Sequence, residues 1–111
     1  MSESNTPLFS NSHSLAKYES RMRKIFSLAI PEKSYRIILY GSRARGDDRD
    51  GSDVDLAISG ESITDGDLSH VRGFWEESTI PLNLDLVDLG KIDDKLTSRI
   101  KAEGVTLWIQ N

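Results

Sequence analysis

The sequence of 111 residues contains no cysteine, which excludes disulfide bonds, thiolate nucleophiles and zinc–thiolate sites. It also lacks any apolar run approaching the roughly 20 residues of a membrane-spanning helix, and its polar start lacks the apolar segment of a signal peptide. Basic residues are not in excess, since the formal net charge is -4. We therefore expect no membrane association, no direct binding to nucleic acid and, by default, a cytoplasmic location.

The composition is otherwise typical of a globular protein, with 37% hydrophobic and 29% charged residues. A chain of this length forms one domain and can bury about 60–70% of its unfolded surface around a single core. Residues 1–12 are rich in serine and asparagine and show no hydrophobic period, which predicts a flexible N-terminal tail. We place the folded domain at residues 13–111.

Hydrophobic spacing predicts that helices and strands alternate along this domain. The predicted strands are 35–40, 53–58, 82–87 and 105–109. The predicted helices run from Ser12 or Ser14 to Pro31, over 64–78 and over 93–103, with one helical turn at 43–46. The fold class that this order indicates is α+β, or mixed α/β.

The predicted helices each present one apolar face to the core. In the first helix this face consists of Leu15, Tyr18, Met22, Ile25, Leu28 and Ala29. In the helix at 64–78 it consists of Leu68, Val71 and Trp75, with Phe74 as a further candidate. Thr64 followed three residues later by Asp67 resembles a capping box at the start of that helix.

Residues 41–58 (GSRARGDDRDGSDVDLAI) carry most of the functional information. A short apolar strand leads into Gly41 and Ser42, and after ten further residues Asp53 and Asp55 flank a single valine. Residues two apart in a strand point to the same side and lie roughly 7 Å apart. The stretch therefore predicts a strand, a tight turn and a second strand with two acids on one face.

A third carboxylate joins these two if the strand at 82–87 pairs beside the second strand. Asp85 would then lie about 5 Å away, and three carboxylates on one face would repel one another unless cations offset them. Mg²⁺ prefers such oxygen ligands, and two ions about 4 Å apart can bridge the attacking and leaving oxygens of a displacement at phosphorus. We predict Asp53, Asp55 and Asp85 as catalytic and metal-binding residues, with the first two on both ions and Asp85 on one.

The turn between the two strands is suited to phosphate. Gly41 lets the backbone approach a phosphate closely, and the turn presents N–H groups together with the Ser42 hydroxyl. Arg43 or Arg45 could neutralise phosphate charge, because a guanidinium presents its donors as a planar fork. We predict these four residues as the nucleotide-binding residues.

Each signal also has a purely structural interpretation. A Gly-Ser pair is ordinary turn chemistry, and an Asp-x-Asp pair is common on exposed strand edges. Asp85 could be a surface residue of an amphipathic strand. The loop arginines could simply pair with the neighbouring acids, which are Asp47, Asp48 and Asp50. The joint occurrence of the signals in one order and one strand context favours the functional interpretation.

The combination Gly41-Ser42, ten residues, then Asp53-Val54-Asp55 resembles the signature of the nucleotidyltransferase superfamily that includes DNA polymerase β. The fuller text, GSRARG…SDVDLAI followed by LDLVD, is similar to the minimal nucleotidyltransferase (MNT) branch. The resemblance covers residues 35–89 with specific motifs. It implies a small mixed sheet with helices packed against it, Mg²⁺ dependence and transfer of a nucleoside monophosphate from an NTP to a hydroxyl.

Members of the MNT branch are often paired with a HEPN-domain protein as a toxin–antitoxin system. The resemblance therefore implies AMP transfer from ATP to a tyrosine of a HEPN toxin, with Ser42 contacting phosphate and the three acids binding metal. Two alternatives stay open, namely an antitoxin that acts by occlusion without turnover and a transferase for a small-molecule hydroxyl such as an aminoglycoside. A chain this short leaves little to hold an acceptor, so we expect a partner subunit, with Phe74, Trp75 and Trp108 as candidate contacts.

Overall fold

A computed structural model of the chain describes residues 15–111. A 3₁₀ turn at Ala16–Tyr18 leads into the first of four helices, which are α1 (Glu19–Ala29), α2 (Ser42–Arg45), α3 (Asp65–Glu76) and α4 (Asp94–Glu103). The four strands are β1 (Tyr35–Tyr40), β2 (Val54–Ser59), β3 (Leu84–Asp88) and β4 (Val105–Gln110). The predicted alternation of helices and strands is confirmed, and the tail predicted for residues 1–12 lies outside the described residues.

The strands form one mixed sheet in the order β3-β2-β1-β4. β1 pairs antiparallel with both β2 and β4, whereas β2 and β3 are parallel. The predicted pairing of the second and third strands is therefore confirmed, and α3 is the crossover that a parallel connection requires. A bulge in the β1–β4 ladder falls between Ile37 and Ile38.

The two faces of the sheet are covered unequally. α1 and α3 pack on one face and enclose the main core, in which Phe26, Ile37, Leu56 and Val71 are fully buried. α4 packs on the other face through a smaller apolar cluster of buried residues, Ile38, Tyr40, Ala57 and Ile100. Because side chains alternate along a strand, β1 and β2 serve both layers, and the second face keeps an uncovered region beside α4.

Local signals set several element boundaries. The Thr64 hydroxyl accepts from the Asp67 N–H at 3.1 Å, and the Asp67 carboxylate accepts from the Thr64 N–H at 3.0 Å, so the predicted capping box is confirmed. Asp93 caps α4, and Gly104 ends it as predicted. Asp88 accepts from the Gly90 N–H at 2.9 Å and forms the turn that closes β3.

The predicted boundaries need correction, most clearly at the start of α1, the end of α3 and the start of β3. α1 begins at Glu19, after the 3₁₀ turn, and the predicted starts at Ser12 and Ser14 lie outside the described residues. α3 ends at Glu76 instead of 78, and β3 begins at Leu84 instead of 82. The latter shift follows from Pro81, which cannot donate to a ladder, and from the Leu82 carbonyl, which accepts from the Trp75 indole N–H at 2.8 Å.

Two predicted core residues are exposed. Leu28 of α1 is 56% exposed and Phe74 of α3 is 40% exposed, and both line one shallow groove between these helices. A helix buries only the side chains that face the sheet, so residues on the flank of its apolar stripe reach the edge of the core. Trp75 and Trp108 are buried, which makes Phe74 the accessible member of the three predicted contact residues.

Within residues 15–111, none of the helices combines the length and the apolar character needed to cross a bilayer.

Candidate active site

Asp55 of β2 and Asp85 of β3 share the partly uncovered face of the sheet. Asp55 lies directly opposite Asp85 in the parallel register, so their Cα atoms are separated by one strand spacing of about 4.8 Å. Asp53 directly precedes β2 and lies two residues before Asp55 on the same side. Asp53 and Asp85 are exposed and Asp55 is half-buried, so the structure brings together the three acids that the sequence singled out.

The pKa of Asp55 reflects the closeness of the three carboxylates. Its pKa is raised above the ordinary aspartate value, first by partial burial and then by the negative charges of Asp85 and Asp53. The positive charges of Arg45 and Arg99 act in the opposite direction. Asp55 is therefore the acid at which like charge accumulates, and a bound cation would relieve that repulsion.

The turn between β1 and α2 lies against Asp55. Gly41 has φ 77° and ψ −157°, a conformation that is essentially restricted to glycine. A Cβ at this position would collide with the Asp55 carboxylate. Ser42 is the first residue of α2, and the Gly41 carbonyl accepts from the N–H groups of Ala44 and Arg45 at 3.1 Å. The predicted phosphate turn and the predicted metal ligands are thus adjacent.

Arg43 is placed differently from the other predicted nucleotide-binding residues. Its side chain is buried, with Nε and Nη2 donating to the Ser52 carbonyl at 3.1 and 2.8 Å and Nη1 donating to the Asp48 carboxylate at 3.2 Å. These bonds tie α2 to the residue that directly precedes Asp53. The observed contacts give Arg43 a part in shaping the loop, and its predicted phosphate contact stays a prediction.

Arg45 lies on the open side of the same turn. Its guanidinium is half-exposed and donates to Asp47 at 3.1 Å and to Glu103 at 3.1 Å. Its positive charge partly offsets the rise in the pKa of Asp55. Of the two candidate arginines, Arg45 is the one accessible to a ligand.

Three residues near the acids were not predicted from the sequence. Tyr40 of β1 is the register partner of Asp55, and burial together with the charges of Asp85 and Asp55 raises its pKa to about 12. Arg99 and Glu103 of α4 complete the group. Their spacing of four residues indicates a shared helix face, but only the tertiary placement of α4 brings that face to the acids.

The donor set fits Mg²⁺ as an open site. Among the described residues, no three His, Cys, Asp or Glu side chains converge closely enough to enclose a metal ion. Mg²⁺ usually binds through one or two carboxylates and takes further ligands from substrate phosphates and water. The adjacent carboxylates of Asp55 and Asp85, with Asp53 beside them, match that requirement through hard oxygen donors whose mutual repulsion a cation would offset.

A mixed sheet with acids beside a Gly-Ser turn defines a protein of the nucleotidyltransferase class. The family described as polymerase beta, nucleotidyltransferase matches residues 24–111. This chain therefore belongs to that family, and its four helices and four-stranded mixed sheet are the polymerase β-like nucleotidyltransferase fold. No curated protein matches the chain.

Solved structures of similar fold include chains from toxin–antitoxin complexes and a protein described as a minimal nucleotidyltransferase. A chain from a toxin–antitoxin complex with AMP-PNP has 25% sequence identity and a TM-score of 0.68, covering 81% of this chain and 72% of that one. A protein described as a minimal nucleotidyltransferase has 24% identity and a TM-score of 0.65, covering 86% and 97%. A third similar chain comes from a complex described as the tri-AMPylated Shewanella oneidensis HEPN toxin with MNT antitoxin. It has 22% identity and a TM-score of 0.62, covering 83% of this chain and 70% of that one. The last two likenesses establish the fold alone.

Proposed function

We propose that this chain is a Mg²⁺-dependent nucleotidyltransferase that transfers AMP from ATP to a tyrosine hydroxyl of a HEPN-domain toxin and acts as its antitoxin. The observation that carries the proposal is the adjacency of Asp55 to both Asp85 and Gly41. A carboxylate surface that lies beside a backbone turn suited to phosphate supports the binding of one nucleotide across both. The complexes of similar fold with AMP-PNP and with an AMPylated HEPN toxin support the choice of nucleotide and acceptor.

In the proposed reaction, the tyrosine oxygen forms a bond to the α-phosphorus, and the bond from that phosphorus to the β-phosphate oxygen breaks. Pyrophosphate leaves, and we assign the tyrosine proton to a carboxylate oxygen of Asp85, which is exposed at the mouth of the site. Gly41 and Ser42 would hold the outgoing phosphates, and Arg45 would neutralise part of their charge. When bound by Asp53, Asp55 and Asp85, two Mg²⁺ ions would supply further charge neutralisation.

The open geometry of the site supports a second subunit. Asp53 and Asp85 are exposed, and of the described elements only α4 lies over the acidic face of the sheet. Phosphoryl transfer depends on excluding water and orienting the acceptor, and a partner subunit seated over this face would meet both requirements. A HEPN-domain protein that carries the acceptor tyrosine would meet both.

Intact-mass spectrometry of a co-purified HEPN partner tests the proposal. After incubation with ATP and Mg²⁺, we expect a gain of one or more AMP units on the partner with the wild-type chain. The double variant Asp53→Asn/Asp55→Asn should give no gain while still binding the partner, because the acids lie on the substrate face. The matched control Asp50→Asn/Asp94→Asn removes the same charge at exposed positions and should transfer normally.

The same experiment separates catalysis from occlusion. If the acid double variant neutralises the toxin as fully as the wild type does, the chain acts by covering its partner and AMP transfer is not its mechanism. If no nucleotide is added to the partner by the wild type with any of the four NTPs, the proposed reaction is wrong.

A further inference from the structure

The carboxylate of Glu103 occupies the turn that is proposed to receive phosphate. Its Oε1 accepts from the Gly41 N–H at 3.1 Å and from Arg45 Nη1 at 3.1 Å. The same oxygen lies 3.7 Å from Nη2 of Arg99. One oxygen thus faces a backbone donor and two guanidinium groups, and the Glu103 side chain is only 23% exposed.

The position of Glu103 in its own helix accounts for only one of these contacts, the approach of Arg99 four residues earlier. Glu103 is the last residue of α4, where the unpaired carbonyl groups carry the negative end of the helix dipole and disfavour an acid. Gly104 holds this end of the helix against β1, since a Cβ there would collide with the Ile38 side chain and the Ile100 carbonyl. The donors of the turn and of the two arginines are therefore what stabilises the carboxylate in this place.

These donors form a site for an anionic oxygen, whether it belongs to a carboxylate or to a phosphate. A carboxylate and a phosphate both accept charge-assisted hydrogen bonds from guanidinium and backbone N–H groups. Gly41 and Arg45 are two of the predicted nucleotide-binding residues, so Glu103 and a nucleotide phosphate would compete for the same donors. The Arg99 side chain is 57% exposed, so it has room to turn from the Glu103 carboxylate to a nucleotide phosphate.

We propose that Glu103 is an internal anion that holds the phosphate turn until nucleotide binds, and that Arg99 then becomes a phosphate-binding residue beside Arg45. The inference rests on the proposed function, because it names further residues of the same nucleotide site. Displacement of Glu103 breaks its hydrogen bonds and leaves its charge near the phosphates. Glu103 thereby lowers the affinity for nucleotide that the turn and the two arginines would otherwise give.

Titration calorimetry with ATP and with inorganic triphosphate, each with Mg²⁺, tests the competition. We expect Glu103→Gln to bind both ligands about tenfold more tightly than the wild type, because the amide keeps an acceptor for Gly41 without the charge. The matched control Glu76→Gln removes the same charge from an exposed position on α3 and should change neither affinity. Equal or weaker binding by Glu103→Gln would overturn the proposal.

Arg99 gives an independent test that does not depend on the Glu103 variant. Arg99→Gln should weaken the binding of triphosphate roughly tenfold, whereas Lys101→Gln, an exposed charge loss on the same helix, should not. In the wild-type protein, adding triphosphate should shift the NMR signal of the Gly41 amide, since that N–H exchanges a carboxylate for a phosphate. Unchanged affinity in Arg99→Gln, or an unperturbed Gly41 amide at saturation, would contradict the inference.

The outcomes separate this inference from the proposed reaction. If Glu103→Gln tightens ATP binding but no AMP reaches a partner, the competition stands and the transfer reaction is wrong. If AMP is transferred and Glu103→Gln leaves nucleotide affinity unchanged, the reaction stands and Glu103 is not a competing anion. Absence of triphosphate binding by wild type and variant alike would overturn the competition.

Discussion

The backbone of Gly41 packs against the carboxylate of Asp55 so closely that a side chain at position 41 would overlap it. This contact joins the end of β1 to the acidic face of β2 and leaves no space between the two. The predicted phosphate turn and the predicted metal ligands are consequently one unit, in which a side chain added at position 41 would displace Asp55.

Replacement of Gly41 by alanine should therefore disrupt both stability and function. We expect Gly41→Ala to cost roughly 3–5 kcal/mol in the free energy of unfolding, from the glycine-only conformation and from overlap with Asp55. Gly46 is the matched control, because it also has a positive φ of 86° but a Cβ there would meet nothing within 4 Å. Gly46→Ala should cost about 1–2 kcal/mol. Urea denaturation of the two variants measures the difference, and equal losses would contradict the proposed overlap.

Asp55 should lower the stability of the folded chain at neutral pH. Its folded pKa lies above the unfolded value of 3.8, so the folded state binds more protons between these two values and stability falls as the pH rises through that window. Asp55→Asn removes the penalty, and we expect a small increase in the free energy of unfolding at pH 7 without divalent ions, because solvent screens part of the repulsion at this partly exposed site. Asp50→Asn, in the exposed loop, should have little effect.

The same substitution should abolish the thermal stabilisation by Mg²⁺. Binding of an ion to the folded state alone raises the melting temperature, so the wild type should gain thermal stability with Mg²⁺ and ATP, whereas Asp55→Asn should not. Thermal unfolding with and without Mg²⁺ gives both comparisons. If Asp55→Asn is less stable than the wild type at neutral pH without Mg²⁺, Asp55 is not the centre of charge repulsion.

Arg43 should behave as a residue that shapes the loop. Arg43→Lys keeps the positive charge but cannot reproduce the two donors on the Ser52 carbonyl and the third on Asp48. We expect Arg43→Lys and Arg43→Gln each to lower stability by about 1–3 kcal/mol, while Arg49→Lys has no effect. If Arg43→Lys is as stable as the wild type and only Arg43→Gln loses ATP affinity, the predicted phosphate contact is the main role of Arg43.

Phe74 tests whether the proposed partner extends beyond the acidic face, because the groove between α1 and α3 lies on the opposite side of the sheet. Phe74 is an exposed aromatic residue beside Leu28, and interface energy concentrates in such residues when a partner covers them. We expect Phe74→Ala to weaken partner binding roughly 10–30-fold in titration calorimetry, with little loss of stability. Ile109→Ala, at an exposed apolar position of the edge strand β4, is the control. If Ile109→Ala weakens partner binding and Phe74→Ala does not, the partner binds at β4 and not at the groove between α1 and α3.

The acidic site was largely predictable because strand alternation is a local property. The order of residues in β2 and β3 placed Asp55 and Asp85 opposite their apolar neighbours, and the pairing of the two strands then brought them together. The positive φ of Gly41 follows from the same kind of signal, since a glycine directly after a buried strand indicates a tight turn.

The remaining features depend on packing that no local pattern encodes. Periodicity gave α4 an inward face but not the place where it crosses the sheet, so Arg99 and Glu103 could not be assigned to the site. Arginine is seldom buried, and the burial of Arg43 follows only from the path of the loop beneath it. Likewise, the exposure of Phe74 depends on where α1 and α3 diverge.

Strand β2 directs Val54, Leu56 and Ile58 to the main core, whereas Asp55 and Ala57 point to the opposite face, with Asp55 in the site and Ala57 in the smaller apolar cluster. This alternation limits the insertions and deletions that the strand tolerates. Inserting or deleting one residue within Val54–Ser59 would exchange the two faces on one side of the change, turning apolar core residues outward or Asp55 into the core. Loss of folding and loss of chemistry would then occur together. The exposed loop before Asp53 lies outside the ladder, so we expect variation in length among related chains to collect there and to be absent from β2.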